Sequence, residues 1–158
     1  MSGDIPFRTL IPRAAFEAQV GQEIGCSRWF DMDQARIDAF AEVTEDQQFI
    51  HVDPVRAAGT IFGGTVAHGM LTLSMLSAMA YDALPALEGM KASVNYGFDR
   101  LRFVAPVPGG SRLRARFTLL NTEERKAGQL MACVGVVVEI EGQDKPALTA
   151  DWRVVYLL

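Results

Sequence analysis

The pattern of apolar and polar positions divides the chain into an irregular beginning, a helical middle and a strand-rich second half. Residues 67–84 are apolar on almost every face at helical spacing, which is typical of a helix that is buried on most sides. A helix of this length is about 27 Å long. The rest of the chain must therefore supply the surface that wraps it.

The second half of the chain supplies that surface, because four stretches predict strands: residues 91–104, 112–120, 130–140 and 148–157. In the second stretch, Leu113, Ala115 and Phe117 alternate with arginines, which is the pattern of a sheet with one buried face. The connections 106–110, 122–128 and 141–144 contain turn-forming residues. With a first strand at 22–30, the order of elements predicts an α+β fold in which a curved antiparallel sheet surrounds one long helix.

The segments before the long helix show weaker patterns. Residues 7–20 are irregular, and we expect them to wrap the body of the protein. The sequence predicts an N-cap at 31–34, followed by a helix with an apolar side formed by Ile37, Phe40, Ala41 and Val43. Residues 44–65 predict a long loop, with a short helix after Asp53 and Pro54.

Composition narrows the class of protein. The chain has 158 residues, and we expect a single domain over residues 1–158. A hydrophobic content of 49% excludes disorder, and a net charge of -4 gives no electrostatic basis for nucleic-acid binding. Residues 57–81 lack charged side chains, but their glycines and His68 favour a buried helix after a glycine-rich loop over a membrane span.

Two further features point to the cytoplasm. The N-terminus lacks the basic and apolar regions of a signal peptide. Cys26 and Cys133 lie far apart without metal-ligand spacing, which is typical of free thiols in a reducing compartment.

The chemistry in the sequence centres on Asp46 and His51, which lie five positions apart in a stretch with turn character. A carboxylate and a neutral imidazole that reach one point can hold a water molecule and move its protons. The long apolar helix then begins near Gly69, where backbone N–H groups can receive a developing oxyanion. This combination suggests chemistry on a carbonyl compound.

Segments 44–54 and 62–72, which carry Asp46, His51 and the triplet Ala67-His68-Gly69, resemble the MaoC-like dehydratases. These are the (R)-specific enoyl-CoA hydratases of the hot-dog fold, and the form of residues 46–51 is most similar to the branch of nodulation protein N homologues. The likeness extends through 95–97 and 102–111. Gln48 and Phe49 depart from the family pattern, which usually has Asn and Pro at those positions.

The resemblance implies a role for each matching residue. Asp46 and His51 match the catalytic pair that holds the water, and Gly69 matches the glycine whose N–H receives the thioester oxygen. Ser77 matches a serine that orients the aspartate. It also implies an acyl thioester substrate on coenzyme A or acyl carrier protein, and a homodimer that pairs sheet edges near the active site. We expect no cofactor, and no histidine-based metal site, since the chain has only two histidines.

The residues leave alternatives open. Asp46 and His51 could form a loop salt bridge, and we expect His68 to pack or hydrogen-bond at the helix entrance rather than act in catalysis. The Ser77 hydroxyl could donate a hydrogen bond to a backbone carbonyl of its own helix.

The arginines at 112, 114 and 116 fit the solvent-exposed face of a strand better than a binding site for the phosphates of coenzyme A. Thioester hydrolysis and non-catalytic acyl-thioester binding are the rival functions.

Overall fold

The computed structural model describes residues 7–158, which form a sheet curved around a helical segment. The elements in chain order are β1 (Leu10–Ile11), α1 (Arg13–Glu17), β2 (Glu23–Cys26), β3 (Phe30–Met32), α2 (Gln34–Thr44), α3 (Phe49–Val52), α4 (Pro54–Ala58), α5 (Gly69–Ser74), α6 (Leu76–Ala83), β4 (Ala86–Leu87), β5 (Ala92–Phe103), β6 (Ser111–Lys126), β7 (Gln129–Ile140) and β8 (Leu148–Leu157).

The main sheet is antiparallel, with strand order β2-β6-β7-β8-β5. β3 follows β2 along the same edge of β6, since β2 pairs with residues 116–118 and β3 pairs with residues 111–113. A separate two-stranded parallel pair, β1 with β4, attaches the beginning of the described chain to the end of α6. β5 is an outer strand of the main sheet, since it pairs only with β8 among the described strands. This architecture confirms the predicted α+β hot-dog fold.

The hydrophobic core lies between α5–α6 and the concave face of the sheet. Leu76 and Met79 of α6 are almost completely buried, as are Leu113 and Phe117 of β6. Burying a side chain of this size stabilises the fold by about 1.5–3 kcal/mol. The alternation predicted for β6 is therefore confirmed, because its apolar positions form the core and its arginines face outward.

The long helix predicted at residues 67–84 is shorter at both ends, since it ends at Ala83, and it is interrupted in the middle. His68 has an extended backbone, so the helix begins at Gly69 rather than at residue 67, and Met75 separates α5 from α6. The backbone hydrogen bonds of Met75 to Leu71 and of Met79 to Met75 continue across this break. The Ser74 hydroxyl donates to the Met70 carbonyl at 2.7 Å, a bond that bends helices.

Other predicted boundaries were wrong in instructive ways. The strand expected at 22–30 is two short strands, β2 and β3, because residues 27–29 oppose only two residues of β6, and the Ala115 N–H donates to the Ser27 hydroxyl instead of a backbone carbonyl. The turn expected at 122–128 is strand up to Lys126, and Val43 is exposed rather than on the buried side of α2. The irregular beginning contains β1 and α1, and the loop at 44–65 contains α3 as well as the expected α4.

Within residues 7–158, no helix is both long enough and apolar enough to cross a membrane.

A close backbone approach fixes β2 against the end of α6. A Cβ atom added at Gly25 would lie 2.4 Å from the Ala83 carbonyl oxygen, whereas a Cβ at Gly97 of β5 would meet nothing within 4 Å. We expect Gly25→Ala to lower the free energy of unfolding by about 1–3 kcal/mol, because the helix and strand must separate. Thermal unfolding followed by circular dichroism should show a melting temperature lower by about 2–4 °C per kcal/mol.

Gly97→Ala is the matched control, since it adds the same methyl group to a strand where space is open. Its free energy of unfolding should stay within about 0.5 kcal/mol of the wild-type value. Equal melting temperatures for the two variants would contradict the close approach.

Candidate functional site

Asp46 follows a sharp change of direction at the end of α2. Glu45, the C-cap residue, has a φ of 60°, in the left-handed region that glycine usually fills at this position. A non-glycine residue in this region costs about 1–2 kcal/mol. The reversal brings Asp46 back toward the start of α5, where the His68 Nε2 lies 3.0 Å from its carbonyl oxygen, and leaves Asp46 exposed.

His51 lies in α3 and is buried, with 8% of its surface exposed. Its Nδ1 lies 2.6 Å from the Val66 carbonyl oxygen. Because a carbonyl only accepts hydrogen bonds, Nδ1 must carry the proton, and Nε2 of the neutral ring then carries a lone pair. The main chain reinforces this contact, since the Val66 N–H donates to the Ile50 carbonyl at 3.0 Å.

Gln34 also positions His51, and sequence analysis did not identify it. Its side-chain amide donates to the His51 carbonyl at 2.7 Å, and its amide oxygen accepts from the Thr65 hydroxyl at 2.6 Å. One residue of α2 therefore connects α3 to the loop that leads into α5. A polar residue at the first position of a helix gives no sequence signal for such a role.

His68 occupies the N-cap position of α5 and is 2% exposed. Its ring stacks on that of His51, with 3.8 Å between centroids and 28° between planes, and it lies 5.0 Å from the ring of Phe40. Its Nε2 donates to the Asp46 carbonyl, so His68 contacts both members of the predicted pair. The expectation that His68 packs and hydrogen-bonds at the helix entrance is confirmed.

The structure brings Asp46, His51 and His68 together, since each offers an atom that lies within 4.8 Å of those of the other two. The two rings are inclined at 28° to each other. The His51 Nε2 lone pair and the Asp46 carboxylate are suited to accept hydrogen bonds from one water molecule.

Gly69 is the first residue of α5, so its N–H has no partner inside the helix. The glycine opens onto a cavity of about 220 Å³ whose lining includes Thr72, Phe103 and Val107. A Cβ at Gly69 would lie 3.0 Å from the Phe103 ring, so a larger residue would make that ring shift. The position therefore favours a small residue for a reason that depends on β5, which the sequence around Gly69 does not show.

Ser77 lies on α6 and lines a different cavity, together with Asn95 and Trp152. It follows His68 by nine positions, which corresponds to about 13 Å along a helix. Among residues 7–158, its hydroxyl forms no hydrogen bond with Asp46. The role of orienting the aspartate therefore stays a prediction.

The arginines of β6 form ion pairs on the outer face of the sheet. Arg112 donates to Glu141 at 2.7 Å, and both Arg114 and Arg116 donate to Glu139. Partial burial raises the pKa of Glu139, but the hydrogen bonds from Arg114 and Arg116 outweigh it, so the pKa lies below its usual value. The charges of these arginines are paired with glutamates of the same chain, as expected for the solvent-exposed face of a strand.

Comparisons with known proteins agree with this geometry. The family model described as MaoC like domain matches residues 15–141. The chain belongs to the MaoC-like family.

Among the relatives of this MaoC-like chain, the nodulation protein N of Rhizobium meliloti (strain 1021) is 52% identical over 134 residues, which cover 84% of this chain and 83% of that protein. The 3-hydroxyacyl-thioester dehydratase Z of Mycobacterium tuberculosis (strain ATCC 25618 / H37Rv) is 41% identical over 150 residues, or 95% and 99% of the two chains. The solved (R)-hydratase of A. caviae, involved in PHA biosynthesis, has a TM-score of 0.71 and 30% identity, and covers 88% and 96% of the two chains.

Proposed function

We propose that this protein catalyses the reversible hydration of trans-2-enoyl thioesters to 3-hydroxyacyl thioesters. The observation that carries the proposal is the pairing of the Asp46 carboxylate with a His51 ring whose protonated nitrogen is fixed by the Val66 carbonyl. Such a pair binds water as a hydrogen-bond acceptor at two points. In the proposed reaction, residues of this chain activate the water without a metal or cofactor.

In the proposed reaction, the water oxygen attacks C3 of the enoyl thioester while Asp46 or His51 takes one of its protons. The π electrons of the double bond move toward C2 and the thioester oxygen, and a proton is then delivered to C2. The net change is a hydroxyl on C3 and a hydrogen on C2. Because the two groups share one water, we treat them as a coupled acid–base unit.

Charge that develops on the thioester oxygen would be stabilised by the Gly69 N–H. This group is the first donor of α5, and Gly69 lines the neighbouring cavity of about 220 Å³. Donors fixed in advance near developing charge usually supply the largest single contribution to catalysis. The apolar residues Phe103 and Val107 in the cavity wall would strengthen that interaction by excluding water.

Two relatives support the choice of thioester and of stereochemistry. One carries the name 3-hydroxyacyl-thioester dehydratase, and another, from Aeromonas caviae, the name (R)-specific enoyl-CoA hydratase. We therefore propose the (R)-3-hydroxyacyl thioester as the product. Gln48 and Phe49 depart from the usual family residues and precede His51 by three and two positions. We propose that they affect substrate identity more than reaction type.

The assay that tests this proposal gives the purified protein crotonyl-CoA and follows enoyl absorbance and free thiol together. Loss of absorbance without thiol release supports the hydratase. Release of thiol would instead identify a thioesterase, in which the same water attacks C1. Binding without either change would identify an acyl-thioester binding protein.

The acid–base pair gives the first test by substitution. Asp46→Asn and His51→Gln should each lower kcat by about 10²–10⁴, which is the usual share of general acid–base catalysis. Thermal unfolding should show that both variants fold. Retention of more than about half of the wild-type activity by either variant would remove that residue from the mechanism. Ser77→Ala should fall between wild type and these variants if Ser77 orients Asp46.

His68 can be tested by separating its two contacts. His68→Gln keeps a donor for the Asp46 carbonyl but loses the stack on His51, whereas His68→Phe keeps a stacking ring and loses the donor. We expect both variants to retain far more activity than His51→Gln, because His68 positions the pair without exchanging protons. An equal loss of kcat in His68→Gln and His51→Gln would make His68 a candidate acid.

We also propose a homodimer formed through the outer strand β5. Val94, Tyr96 and Phe103 of this strand are about half exposed, at 47%, 55% and 50%. An unpaired, apolar strand edge is normally covered, and a two-fold dimer is the commonest way to cover it. Because Phe103 contacts the Gly69 position, this junction would lie beside the proposed site.

Light scattering should therefore give about twice the 17.3 kDa chain mass, or an even multiple. Tyr96→Asp should shift the protein toward monomer, because it places a charge in the junction. Val137→Asp, on the outer face of β7 and 38% exposed, is the matched control and should leave the mass unchanged. A fully active wild-type monomer at micromolar concentration would refute the dimer.

A further inference from the structure

The hydroxyl of Thr72 is buried next to the proposed site without a hydrogen-bond partner. Thr72 is the fourth residue of α5 and is 2% exposed. Among residues 7–158, no group forms a hydrogen bond with its hydroxyl oxygen, which is itself buried. Buried polar groups are normally hydrogen-bonded, because a group that leaves water without gaining a partner destabilises the fold. Packing therefore gives no reason for a hydroxyl here, since valine has nearly the same shape.

Thr72 lines the cavity of about 220 Å³ that Gly69 also lines. The other lining residues are apolar and lie at position 67, at positions 103–107 and at position 147. Among the described residues that line this cavity, Thr72 therefore has the only polar side chain. Ligand cavities typically combine an apolar lining with a few polar groups that fix the orientation of the ligand.

Helical geometry directs the Thr72 side chain toward Gly69. Residues three positions apart lie on the same face of a helix, about 5–6 Å from each other. Helical side chains also tilt toward the N-terminus, so Thr72 covers the turn that begins at Gly69. Helical threonine populates two rotamers, and rotation about its Cα–Cβ bond can turn the hydroxyl toward the cavity.

This spacing allows one oxygen atom to accept hydrogen bonds from both residues. A carbonyl oxygen has two lone pairs. Each donor lies about 2.7–3.0 Å from its acceptor, so two donors that share an acceptor lie up to about 6 Å apart. One turn of α5 therefore separates the Gly69 N–H and the Thr72 hydroxyl by a distance that a shared carbonyl oxygen can bridge.

We propose that the Thr72 hydroxyl donates a hydrogen bond to the thioester oxygen of the substrate, together with the Gly69 N–H. The inference rests on the proposed function and adds a second donor to its oxyanion site. As water attacks C3, electrons move to the thioester oxygen, and they return to C2 when the proton is delivered there. Thr72 keeps its own proton throughout. The apolar lining of the cavity strengthens the hydrogen bond while the oxygen is negatively charged.

The first measurement detects this hydrogen bond directly and needs no turnover. In an Asp46→Asn background, infrared difference spectra of bound crotonyl-CoA with an isotope-labelled carbonyl isolate the thioester C=O stretch. A hydrogen bond to the oxygen weakens the C=O bond and lowers its stretching frequency. We therefore expect Thr72→Val to raise the frequency, and Thr72→Ser, which keeps a hydroxyl, to leave it nearly unchanged.

Ser74→Ala is the matched control for the loss of a hydroxyl from α5. Ser74 is exposed, does not line the cavity, and already donates to the Met70 carbonyl at 2.7 Å. The thioester frequency should therefore stay the same in Ser74→Ala. Equal shifts in Ser74→Ala and Thr72→Val would overturn the inference, because they would show only that α5 had moved.

Kinetics with the otherwise wild-type chain provide the second measurement. Thr72→Val should lower kcat for crotonyl-CoA by about 10²–10³, the loss typical of one oxyanion donor. The change in KM should be smaller, because the hydrogen bond strengthens as charge develops on the oxygen. Thr72→Ser should recover most of the lost activity.

Thermal stability separates this role from a structural one. Thr72→Val removes a buried hydroxyl that has no partner, so the melting temperature should stay the same or rise by about 2–4 °C. If the hydroxyl instead stabilised its own helix, for example by donating to the unpartnered His68 Nδ1, Thr72→Val would melt at a lower temperature and leave the thioester frequency unchanged. That result would overturn the inference. Thr72→Ala carries the test if Thr72→Val does not fold.

The outcomes also distinguish this inference from the proposed function. A raised thioester frequency in Thr72→Val, without hydration of crotonyl-CoA by the wild type, overturns the hydratase and supports Thr72 as a donor to the thioester. Hydration by the wild type, with an unchanged frequency in Thr72→Val, overturns the role of Thr72 and leaves the hydratase intact.

Discussion

Burial of the α5–α6 segment inside a curved sheet is the constraint on which the rest of the structure depends. Leu76 and Met79 are almost fully buried, and β6 places its apolar side chains against them. A helix surrounded in this way is accessible mainly at its N-terminal end and along one side. The histidine cluster lies at that end, and the cavity lined by Ser77 lies along that side, so both follow from one packing arrangement.

The site concentrates polar groups where the surrounding structure is apolar. The His51 and His68 rings are buried, and each has one nitrogen bonded to a backbone carbonyl. Among residues 7–158, the His68 Nδ1 and the Thr72 hydroxyl are buried without a hydrogen-bond partner. A buried polar group without a partner costs about 1–3 kcal/mol. These two groups at the start of α5 therefore lower the free energy of unfolding.

Backbone irregularities occur in the same region. Glu45 has a left-handed conformation directly before Asp46, and Gly69 allows the Phe103 ring to approach the start of α5. Sequences follow local structural rules in most places and break them at functional or strained sites. The position of these departures, on either side of the Asp46–His51 pair, agrees with the function we propose for that pair.

The sequence determined the class of fold, because alternation along β6 and the apolar length of residues 69–83 depend on local spacing alone. It also singled out Asp46, His51 and Gly69, since acid, imidazole and glycine at these intervals resemble a known family. It did not show that His51 lies in a helix, because four residues between turns carry too little periodicity to predict one.

Only the tertiary structure decided what these residues contact. Gln34 of α2 donates to the His51 carbonyl, and Phe103 of β5 packs close to Gly69. Phe7 lines a cavity whose other walls lie up to about 150 positions away. Each contact joins residues that are distant along the chain. Side-chain periodicity records which face of an element is buried, but the partner on that face depends on how the elements pack.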